Sequence, residues 1–452
     1  MRLTLEETAK AVGSTDIFDG EITSVCRDTR DVSPGSLFIC LEGDRFDGHA
    51  FARRAQECGA AAILAHKKVD ADIPVIMCEN TRRGILDLAA YVRSLKKIPV
   101  VALTGSVGKT TTKEMITLVM SEKYNTLSTI GNLNNEIGLP LTIFRMDEDT
   151  EAAVLEMGMN HFGEISNMSK CARPTMAVIT NIGVSHMENL GSRAGILQAK
   201  TEILHGMEKG SCVIINGDDE YLSNADLRGF RPVTYAIENP CADFIARHIT
   251  PEEAGTGFDI LHDGRDYSIY LPAIGLHNIY NALAAFAVGW LNGVEPEKMK
   301  EALGGYVPSG MRQRVVSAGD ITVIEDCYNA SPDSIRAALS ALSALQCHGK
   351  RIAVLGDMLE LGEASEQLHR SCGLTAAKSA DLVLCCGDMA KHYLTDAVSS
   401  GYDNIKYFAS KQELLGYLLD SIESGDSVLF KASRAMKFED LLDGVYAVHK
   451  KS

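Results

Sequence analysis

The chain has 452 residues, of which 46% are hydrophobic, and a formal net charge of −16. Its length predicts about three domains at roughly 150 residues each, and its composition is that of ordinary globular proteins. The negative charge and the lack of lysine or arginine runs argue against nucleic acid and anionic membranes as partners. No apolar run reaches the ~18 residues of a membrane span, and the first residues lack the apolar core of a signal peptide.

The cysteine pattern indicates a reducing compartment. Twelve cysteines are scattered without a Cys-x-x-Cys spacing, and several lie inside apolar runs, such as Cys40, Cys212 and Cys385. Buried, reduced thiols explain this distribution best. We therefore expect a cytoplasmic protein.

In chain order, residues 1–82 are predicted to form a small mixed α/β domain. Strand-like runs occur at residues 35–41, 62–65 and 75–77, and a helix-like run at 51–61. Polar loops lie between them at residues 28–30 and 42–49. These loops are either ordinary solvated connections or a surface whose hydroxyl and arginine side chains hold a phosphate.

A phosphate-binding loop is the most informative pattern in the chain. An apolar, β-branched run at residues 100–104 stops at the turn G-S-V-G-K-T of residues 105–110, and a helix-like segment follows. Glycines let backbone N–H groups close around phosphate oxygens, and the helix N-terminus adds its dipole. Lys109 would reach the terminal phosphates, and Thr110 would offer its hydroxyl to Mg²⁺. Leu103 stands where the common pattern has its first glycine, so a plain strand–helix turn is the alternative.

Residues 83–310 are predicted to form a doubly wound parallel sheet around this loop, because apolar strands alternate with helical stretches. Continuous apolar runs, typical of buried parallel strands, occur at residues 152–155, 176–180 and 211–215. Polar residues follow these runs at Glu156, Asn181 and 216–219. Ligands of such sheets bind beyond the carboxyl ends of the strands, so a site is expected there.

The alternation restarts in residues 311–452, which predicts a third domain with a Rossmann-like sheet. Four more strands are expected at residues 321–324, 352–355, 382–384 and 427–430. Ser331 and Pro332 have the residue types of a helix N-cap and first helical position.

Three side chains of the central domain are candidates for chemistry. Glu156 closes a strand and could hold Mg²⁺, or it could be a helix cap or a surface turn. His186 follows another strand, and its side chain could be a metal ligand, a general base or a structural histidine. Lys200, taken alone, is an exposed helix lysine.

Two asparagine groups are further candidates. Residues 129–140 hold three asparagines and two glycines within a short stretch, which suits a substrate-contact loop or a turn cluster that satisfies its own backbone. Asn278 and Asn281 share one helix face. Their amides could read an adenine edge, or they could be solvated.

Together these patterns resemble the Mur ligase family over nearly the whole chain. The resemblance is carried by ordered segments at residues 28–30, 46–49, 104–111, 131–140, 156–161, 183–191, 275–281, 310–314, 326–332 and 354–362. It implies an N-terminal domain for a UDP-linked substrate, a central ATPase domain with a phosphate loop, and a C-terminal Rossmann-like domain.

The resemblance also implies ATP-dependent amide synthesis. It favours the branch of the family that joins D-alanyl-D-alanine to UDP-N-acetylmuramoyl-tripeptide, giving the pentapeptide precursor of peptidoglycan. ATP would phosphorylate the terminal carboxylate of the tripeptide, and the dipeptide amine would then displace phosphate. We expect a monomer whose partners are these small molecules, ATP and Mg²⁺. The third residue of the tripeptide, diaminopimelate or lysine, stays open.

By resemblance, one set of residues would bind ATP. Arg312 and Asp326 would reach phosphate and ribose from the third domain, with Tyr328 beside the base, so the site is complete only when the domains close. The full set is Gly105, Ser106, Val107, Gly108, Lys109, Thr110, Thr111, Asn278, Asn281, Arg312, Asp326 and Tyr328.

The resemblance further implies two Mg²⁺ ions. Thr110 and Glu156 would hold the first ion. A carbamylated Lys200 would hold the second together with His186, because a carbamate binds Mg²⁺ whereas an amine does not. Lys109 would neutralise phosphate charge, so Lys109, Glu156, His186 and Lys200 are the expected catalytic residues.

The UDP-linked substrate would be held mainly by the first domain, through Thr29, Arg30 and the loop at residues 43–49. The expected contacts are Thr29, Arg30, Gly43, Phe46, Asn134 and Asn135.

Two other functions compete with this prediction. A ligase similar to folylpolyglutamate synthases would extend another acid, but that family lacks the UDP-holding domain expected at residues 1–82. A non-catalytic nucleotide switch would need the phosphate loop, but not Glu156, His186 and Lys200 together.

Overall fold

The computed structural model describes residues 1–43, 46–252 and 255–449. Its main sheets, of four, nine and six strands, follow one another along the chain. Within the described ranges, no helix combines the length and apolar character needed to cross a membrane. The first region is residues 1–82, the central region is residues 83–310 and the third region is residues 311–452, as in the predicted domain division.

The first region contains a four-stranded parallel sheet in the order β3-β4-β7-β8, with two short antiparallel pairs, β1-β2 and β5-β6. Its strands are β1 (Leu3–Thr4), β2 (Glu21–Ile22), β3 (Ser24–Cys26), β4 (Ser36–Ile39), β5 (Glu42–Gly43), β6 (Phe46–Asp47), β7 (Ala62–Ala65) and β8 (Val75–Met77). Its helices are α1 (Leu5–Ala11) and α2 (Ala52–Glu57), and α3 (Thr81–Ser94) leads into the central sheet. One face of this sheet shares a continuous apolar core with the central region.

The central region is built on a nine-stranded sheet in the order β10-β11-β9-β12-β13-β14-β15-β16-β17. Its strands are β9 (Val100–Thr104), β10 (Thr126–Ser128), β11 (Ala152–Glu156), β12 (Met176–Ile179), β13 (Cys212–Asn216), β14 (Arg231–Ala236), β15 (Phe244–Glu252), β16 (Gly255–His262) and β17 (Arg265–Leu271). Its helices are α4 (Lys109–Ser121), α5 (Gly138–Ile143), α6 (Glu164–Ala172), α7 (Met187–Leu190), α8 (Arg193–Thr201), α9 (Glu220–Ser223), α10 (Leu276–Leu291) and α11 (Pro296–Gly304). Strands β15 to β17 pair antiparallel, and the other pairs are parallel.

The position of β9 in this sheet locates the site. It lies between β11 and β12, with parallel pairing on both sides. The chain therefore leaves β9 toward one side of the sheet and later returns to its other side, which makes the carboxyl end of β9 a topological switch point. Residues following β9, β11 and β12 consequently meet at one edge.

The third region is a six-stranded sheet in the order β18-β19-β23-β20-β21-β22, parallel except for β18. Its strands are β18 (Arg314–Ala318), β19 (Ile321–Asp326), β20 (Arg351–Gly356), β21 (Leu382–Cys386), β22 (Ile405–Phe408) and β23 (Ser427–Lys431). Its helices are α12 (Pro332–Ala344), α13 (Ser365–Ser379), α14 (Tyr393–Ser399), α15 (Lys411–Ser421) and α16 (Glu439–His449), and apolar cores cover both faces. Ser331 caps α12 and Pro332 opens it, as predicted.

The third region docks on the central one through a few specific polar contacts. The Val184 N–H donates to Asp333 Oδ2 across 3.1 Å. On the other side of the cleft, His277 Nε2 hydrogen-bonds Gln313 Oε1. These contacts join elements on both sides of the phosphate loop, so the third region closes over it.

The predicted fold class is confirmed: three successive α/β units, with a doubly wound central sheet and a Rossmann-like last sheet. Two details of the prediction were wrong. The helix expected at residues 51–61 ends at Glu57, because Gly59 has a φ of +105° that no helix accommodates. The antiparallel strands β15 to β17 had no counterpart in the prediction.

Substitution of Gly373 should destabilise the third region. A Cβ at Gly373 would lie 2.0 Å from the backbone oxygen of Tyr393, where α13 touches the start of α14. We expect Gly373→Ala to lower the unfolding free energy by about 1–3 kcal/mol, because backbone must move. Gly416→Ala is the matched control, since a Cβ there meets nothing within 4 Å, and helix propensity should raise stability by about 0.5–1 kcal/mol. Urea unfolding measures both, and equal effects would contradict the packing argument.

The burial of His277 should make stability depend on pH. Burial lowers the pKa of His277 from 6.5 to about 4, so the folded protein keeps this imidazole neutral. Below pH 6.5 the unfolded chain takes up a proton that the folded chain refuses, and stability falls until about pH 4. We expect the urea midpoint of the wild type to fall more between pH 7.5 and 5 than that of His277→Gln. Parallel pH profiles of the two proteins would refute this assignment.

Candidate active site

A cavity of about 470 Å³ lies between the phosphate loop and the third region. Most of the predicted site residues line it, namely Ser106, Val107, Gly108, Lys109, Thr110, Thr111, Asn134, Asn135, Glu156, His186, Asn278, Asn281, Arg312, Asp326 and Tyr328. Gly105 and Lys200 do not line it. The structure thus brings together residues that lie far apart along the sequence, from both the central and the third region.

The phosphate loop is held by the neighbouring strand end. Asn181, which follows β12, accepts from the Val107 N–H at 3.0 Å and donates to the Val107 oxygen at 2.9 Å. The Ser106 hydroxyl accepts from the Gly183 N–H at 2.8 Å. Gly108 has a φ of +83°, and a Cβ there would lie 2.8 Å from Asn281 Oδ1. The loop is therefore preformed, and its second glycine is required both by conformation and by space.

Lys109 lies over its own loop. Its Nζ donates to the Gly105 oxygen at 2.8 Å and to the Ser106 oxygen at 3.4 Å. Burial lowers the pKa of Lys109, and the nearby Glu156 carboxylate partly opposes this shift. These two carbonyl oxygens are partners that the Lys109 side chain can exchange for phosphate oxygens.

Glu156 is a buried carboxylate, 1% exposed, so neither a surface turn nor a helix cap describes it. Thr110 Oγ1 donates to its Oε2 at 3.0 Å, and Asn134 Nδ2 donates to its Oε1 at 2.8 Å. Each oxygen keeps a further lone pair. The donors present, a carboxylate and a hydroxyl beside a phosphate loop, are of the hard oxygen type that suits Mg²⁺.

Lys200 is not the exposed lysine that its helix pattern suggested. It is 2% exposed near the end of α8, and within the described residues its Nζ has no hydrogen bond or ion pair. Burial, and then the charge of Lys109, hold the pKa of Lys200 well below its usual range. Burial therefore favours the uncharged amine, which is the nucleophilic form of this side chain.

The third region contributes a cation, a ring and a buried ion pair. The Arg312 guanidinium lies 3.8 Å from the centroid of the Tyr328 ring. Asp326 pairs with Lys431 at 2.8 Å, and burial nevertheless raises the pKa of this carboxyl. Lys431 also donates to the Asn329 oxygen. Sequence reasoning placed Lys431 at a strand end but gave it no role.

Asn278 and Asn281 are buried, 6% exposed each, so the solvated alternative does not hold. Thr112 Oγ1 donates to Asn281 Oδ1, Asn281 Nδ2 donates to Asn278 Oδ1, and Asn278 Nδ2 donates to the Ile274 oxygen. This chain of hydrogen bonds ties α10 to the first turn of α4. Both amides still face the cavity.

The residues predicted for the UDP end lie apart from the cavity, except Asn134 and Asn135. Arg30 is exposed and its Nε donates to Asp28 at 2.9 Å, beside the half-buried Thr29. Gly43 and the exposed Phe46 belong to the β5–β6 pair. Residues 44 and 45 of the predicted 43–49 loop lie outside the described residues.

Arg82 lies between the cavity and the residues of the first region that were predicted for the UDP end. Sequence reasoning missed it. Its Nη2 donates to the Glu42 oxygen at 2.8 Å, while the side chain also lines the cavity. Nothing in the local sequence distinguishes it from Arg83, because its importance depends on where α3 begins.

Family models match three successive parts of the chain. They are described as the Mur ligase family catalytic domain at residues 21–100, the Mur ligase middle domain at residues 103–289, and the Mur ligase glutamate ligase domain at residues 311–434. The matches run in the same order as the three main sheets.

Individual relatives match over almost the whole length. A UDP-N-acetylmuramoyl-tripeptide–D-alanyl-D-alanine ligase of Bacillus subtilis is 40% identical, covering 93% of this chain and 92% of that protein. A crystal structure of MurF from Acinetobacter baumannii superposes with a TM-score of 0.93 at 30% identity, covering 99% of both chains. MurF ligase from Thermotoga maritima, in complex with ADP, gives a TM-score of 0.86 at 28% identity, covering 95% of this chain and 98% of that one. Because three family models together match most of the chain and a relative is 40% identical over 93% of it, the chain belongs to the Mur ligase family.

Proposed function

We propose that this chain is the ATP-dependent ligase that joins D-alanyl-D-alanine to UDP-N-acetylmuramoyl-tripeptide, giving the pentapeptide precursor of peptidoglycan, ADP and phosphate. The observation that carries this proposal is the single cavity in which the phosphate loop faces the asparagine-rich loop of Asn134 on one side and Arg312 on the other. A relative with this activity in its name matches 93% of the chain at 40% identity.

The reaction must bring a carboxylate to a triphosphate, and both are anions. Lys109 supplies a cation from the phosphate loop, and Arg312 supplies one from the third region. Positioning and charge neutralisation account for most of the catalysis of phosphoryl transfer. The carboxylate oxygen attacks the γ-phosphorus and ADP leaves, which gives an acyl phosphate. The uncharged dipeptide amine then attacks the acyl carbon; the C–N bond forms, the C–O bond to phosphate breaks, and phosphate and one proton are released.

Thr110 and Glu156 would hold one Mg²⁺, whose positive charge would neutralise phosphate oxygens when bound. Both Glu156 oxygens are already oriented, by Thr110 and by Asn134. This arrangement fixes the carboxylate before any ion arrives, which lowers the entropy that ordering it would cost.

Lys200 would become a carbamate: its neutral amine adds to CO₂, a C–N bond forms, and one proton is released. Burial of this amine, which has no hydrogen-bond partner in the part of the chain that the structure describes, favours this step, because only the uncharged form reacts. The resulting anion, together with His186, would hold a second Mg²⁺. Closure of the third region over the cavity would complete the site.

The remaining predicted contacts complete the proposal. Asn278 and Asn281 would face the adenine side, Asp326 the ribose, and Tyr328 the base. The UDP-linked substrate would be held by Thr29, Arg30, Gly43 and Phe46 of the first region and by Asn134 and Asn135 of the central region. Arg82 would contact it between these two sets of residues. The domain boundaries at 82/83 and 310/311, a monomeric state and a cytoplasmic location stay part of this proposal.

Phosphate release tests the activity. The purified chain is incubated with ATP, Mg²⁺, D-alanyl-D-alanine and UDP-N-acetylmuramoyl-tripeptide, in parallel with the diaminopimelate and lysine forms of the tripeptide. We expect phosphate release that requires both the dipeptide and one tripeptide form. Release with a folate acceptor and none with either tripeptide would overturn the proposal.

Lys200 should be essential for turnover. We expect Lys200→Ala to lower kcat by at least about 10²-fold, because one ligand and its negative charge are lost, and added short carboxylic acids to restore part of it. Lys209→Ala, at an exposed lysine nearby, is the control and should keep full activity. Unaltered turnover of Lys200→Ala without added acid would defeat the carbamate assignment.

A further inference from the structure

Two residues facing each other across the cleft adopt a backbone conformation that side chains disfavour. His186 has a φ of +61° and Glu360 a φ of +64°. Eight non-glycine residues in the described part of the chain have a positive φ, and three of them, His186, Gln313 and Glu360, line the cavity. Such conformations persist where the surrounding structure enforces them, and they concentrate at functional sites.

The two strained residues contact each other. His186 Nδ1 lies 3.2 Å from Glu360 Oε2, and the two side chains are 20% and 64% exposed. The other ring nitrogen of His186, Nε2, has no hydrogen-bond partner among the described residues. A carboxylate at Nδ1 fixes the proton on that nitrogen, which leaves the lone pair on Nε2.

The segment that carries His186 is held at both ends by the third region. Before His186, the Val184 N–H donates to Asp333 Oδ2, and a Cβ at Gly183 would lie 2.1 Å from the same oxygen. After it, Glu188 packs so closely on Gly362 that a Cβ there would lie 3.2 Å away. The conformation of this segment therefore depends on docking of the third region.

We propose that Glu360 is a positioning residue for His186. Accepting the Nδ1–H, it presents Nε2 to the second divalent cation, an assignment that rests on the proposed function above. Histidine ligands in metal sites commonly donate their other N–H to a carboxylate in this way, and loss of that partner costs 10–100-fold in metal affinity. Because Glu360 and His186 belong to different regions, the cation site forms only when those regions dock.

Direct metal binding tests this inference. Mn²⁺ replaces Mg²⁺ as the probe, and its binding to the ADP complex is followed by electron paramagnetic resonance. We expect Glu360→Ala to weaken Mn²⁺ binding about tenfold or more. Glu360→Gln should stay within about threefold of wild type, because its amide oxygen still accepts the Nδ1–H.

Glu363→Ala is the matched control. It removes one carboxylate from the same loop, and Glu363 is exposed and does not contact His186. It should leave Mn²⁺ affinity unchanged, and all variants should keep the wild-type melting temperature. Equal Mn²⁺ affinity of Glu360→Ala and wild type would overturn the inference, as would a loss shared equally by Glu363→Ala.

Kinetics separate this role from substrate binding. If Glu360 instead held the ammonium group of the dipeptide, Glu360→Ala would raise the KM for D-alanyl-D-alanine while the Mg²⁺ requirement stayed unchanged, and that result would overturn the inference. We expect the Mg²⁺ concentration for half-maximal turnover to rise in parallel with the Mn²⁺ dissociation constant. The Mn²⁺ measurement needs only ADP, so failure of the ligase assay in the wild type would not obscure it.

Discussion

The structure of the site depends on one constraint, the parallel pairing of β9 with β11 on one side and β12 on the other. This pairing places the residues after three strands at a single edge of the sheet. It brings Glu156 against Thr110 and Asn181 against Val107, although 46 and 74 residues separate these pairs along the chain. The phosphate loop, the Glu156 carboxylate and the Asn181 side chain that holds the loop are therefore positioned by the same strand pairing. A change in strand order would move them apart.

The charges that line the cleft differ from the charge of the whole molecule. The chain carries a net charge of −16, whereas the cavity is lined both by cations such as Lys109 and Arg312 and by carboxylates such as Glu156 and Glu360. Burial lowers the pKa of Lys109 and of Lys200. Bound anionic substrates would favour the charged form of Lys109, whereas carbamate formation at Lys200 would use the uncharged amine that burial favours.

Local pattern was enough to predict the phosphate loop, the strands around it and Glu156 at a strand end, because each depends on residues adjacent in sequence. The burial of Lys200 was not visible locally, since its helix pattern resembles that of an exposed lysine. Arg82, Lys431 and Glu360 were missed for a related reason: their partners Glu42, Asp326 and His186 lie far from them along the chain, and only the folded structure brings each pair together. The strands β15 to β17 were not predicted, because the alternation of helices and strands in residues 83–310 indicates a parallel sheet and not an antiparallel extension of it.

Gly183 has a consequence for motion rather than for shape. Its missing side chain leaves room for Asp333 at that point of the cleft, since a Cβ there would lie 2.1 Å from the Asp333 carboxylate. Any larger residue would act as a wedge between the central and third regions, and its Cβ would also lie 3.1 Å from the Cβ of Ser106 in the phosphate loop. The size of this one residue therefore limits both how closely the third region can approach and how the loop beneath it can be placed.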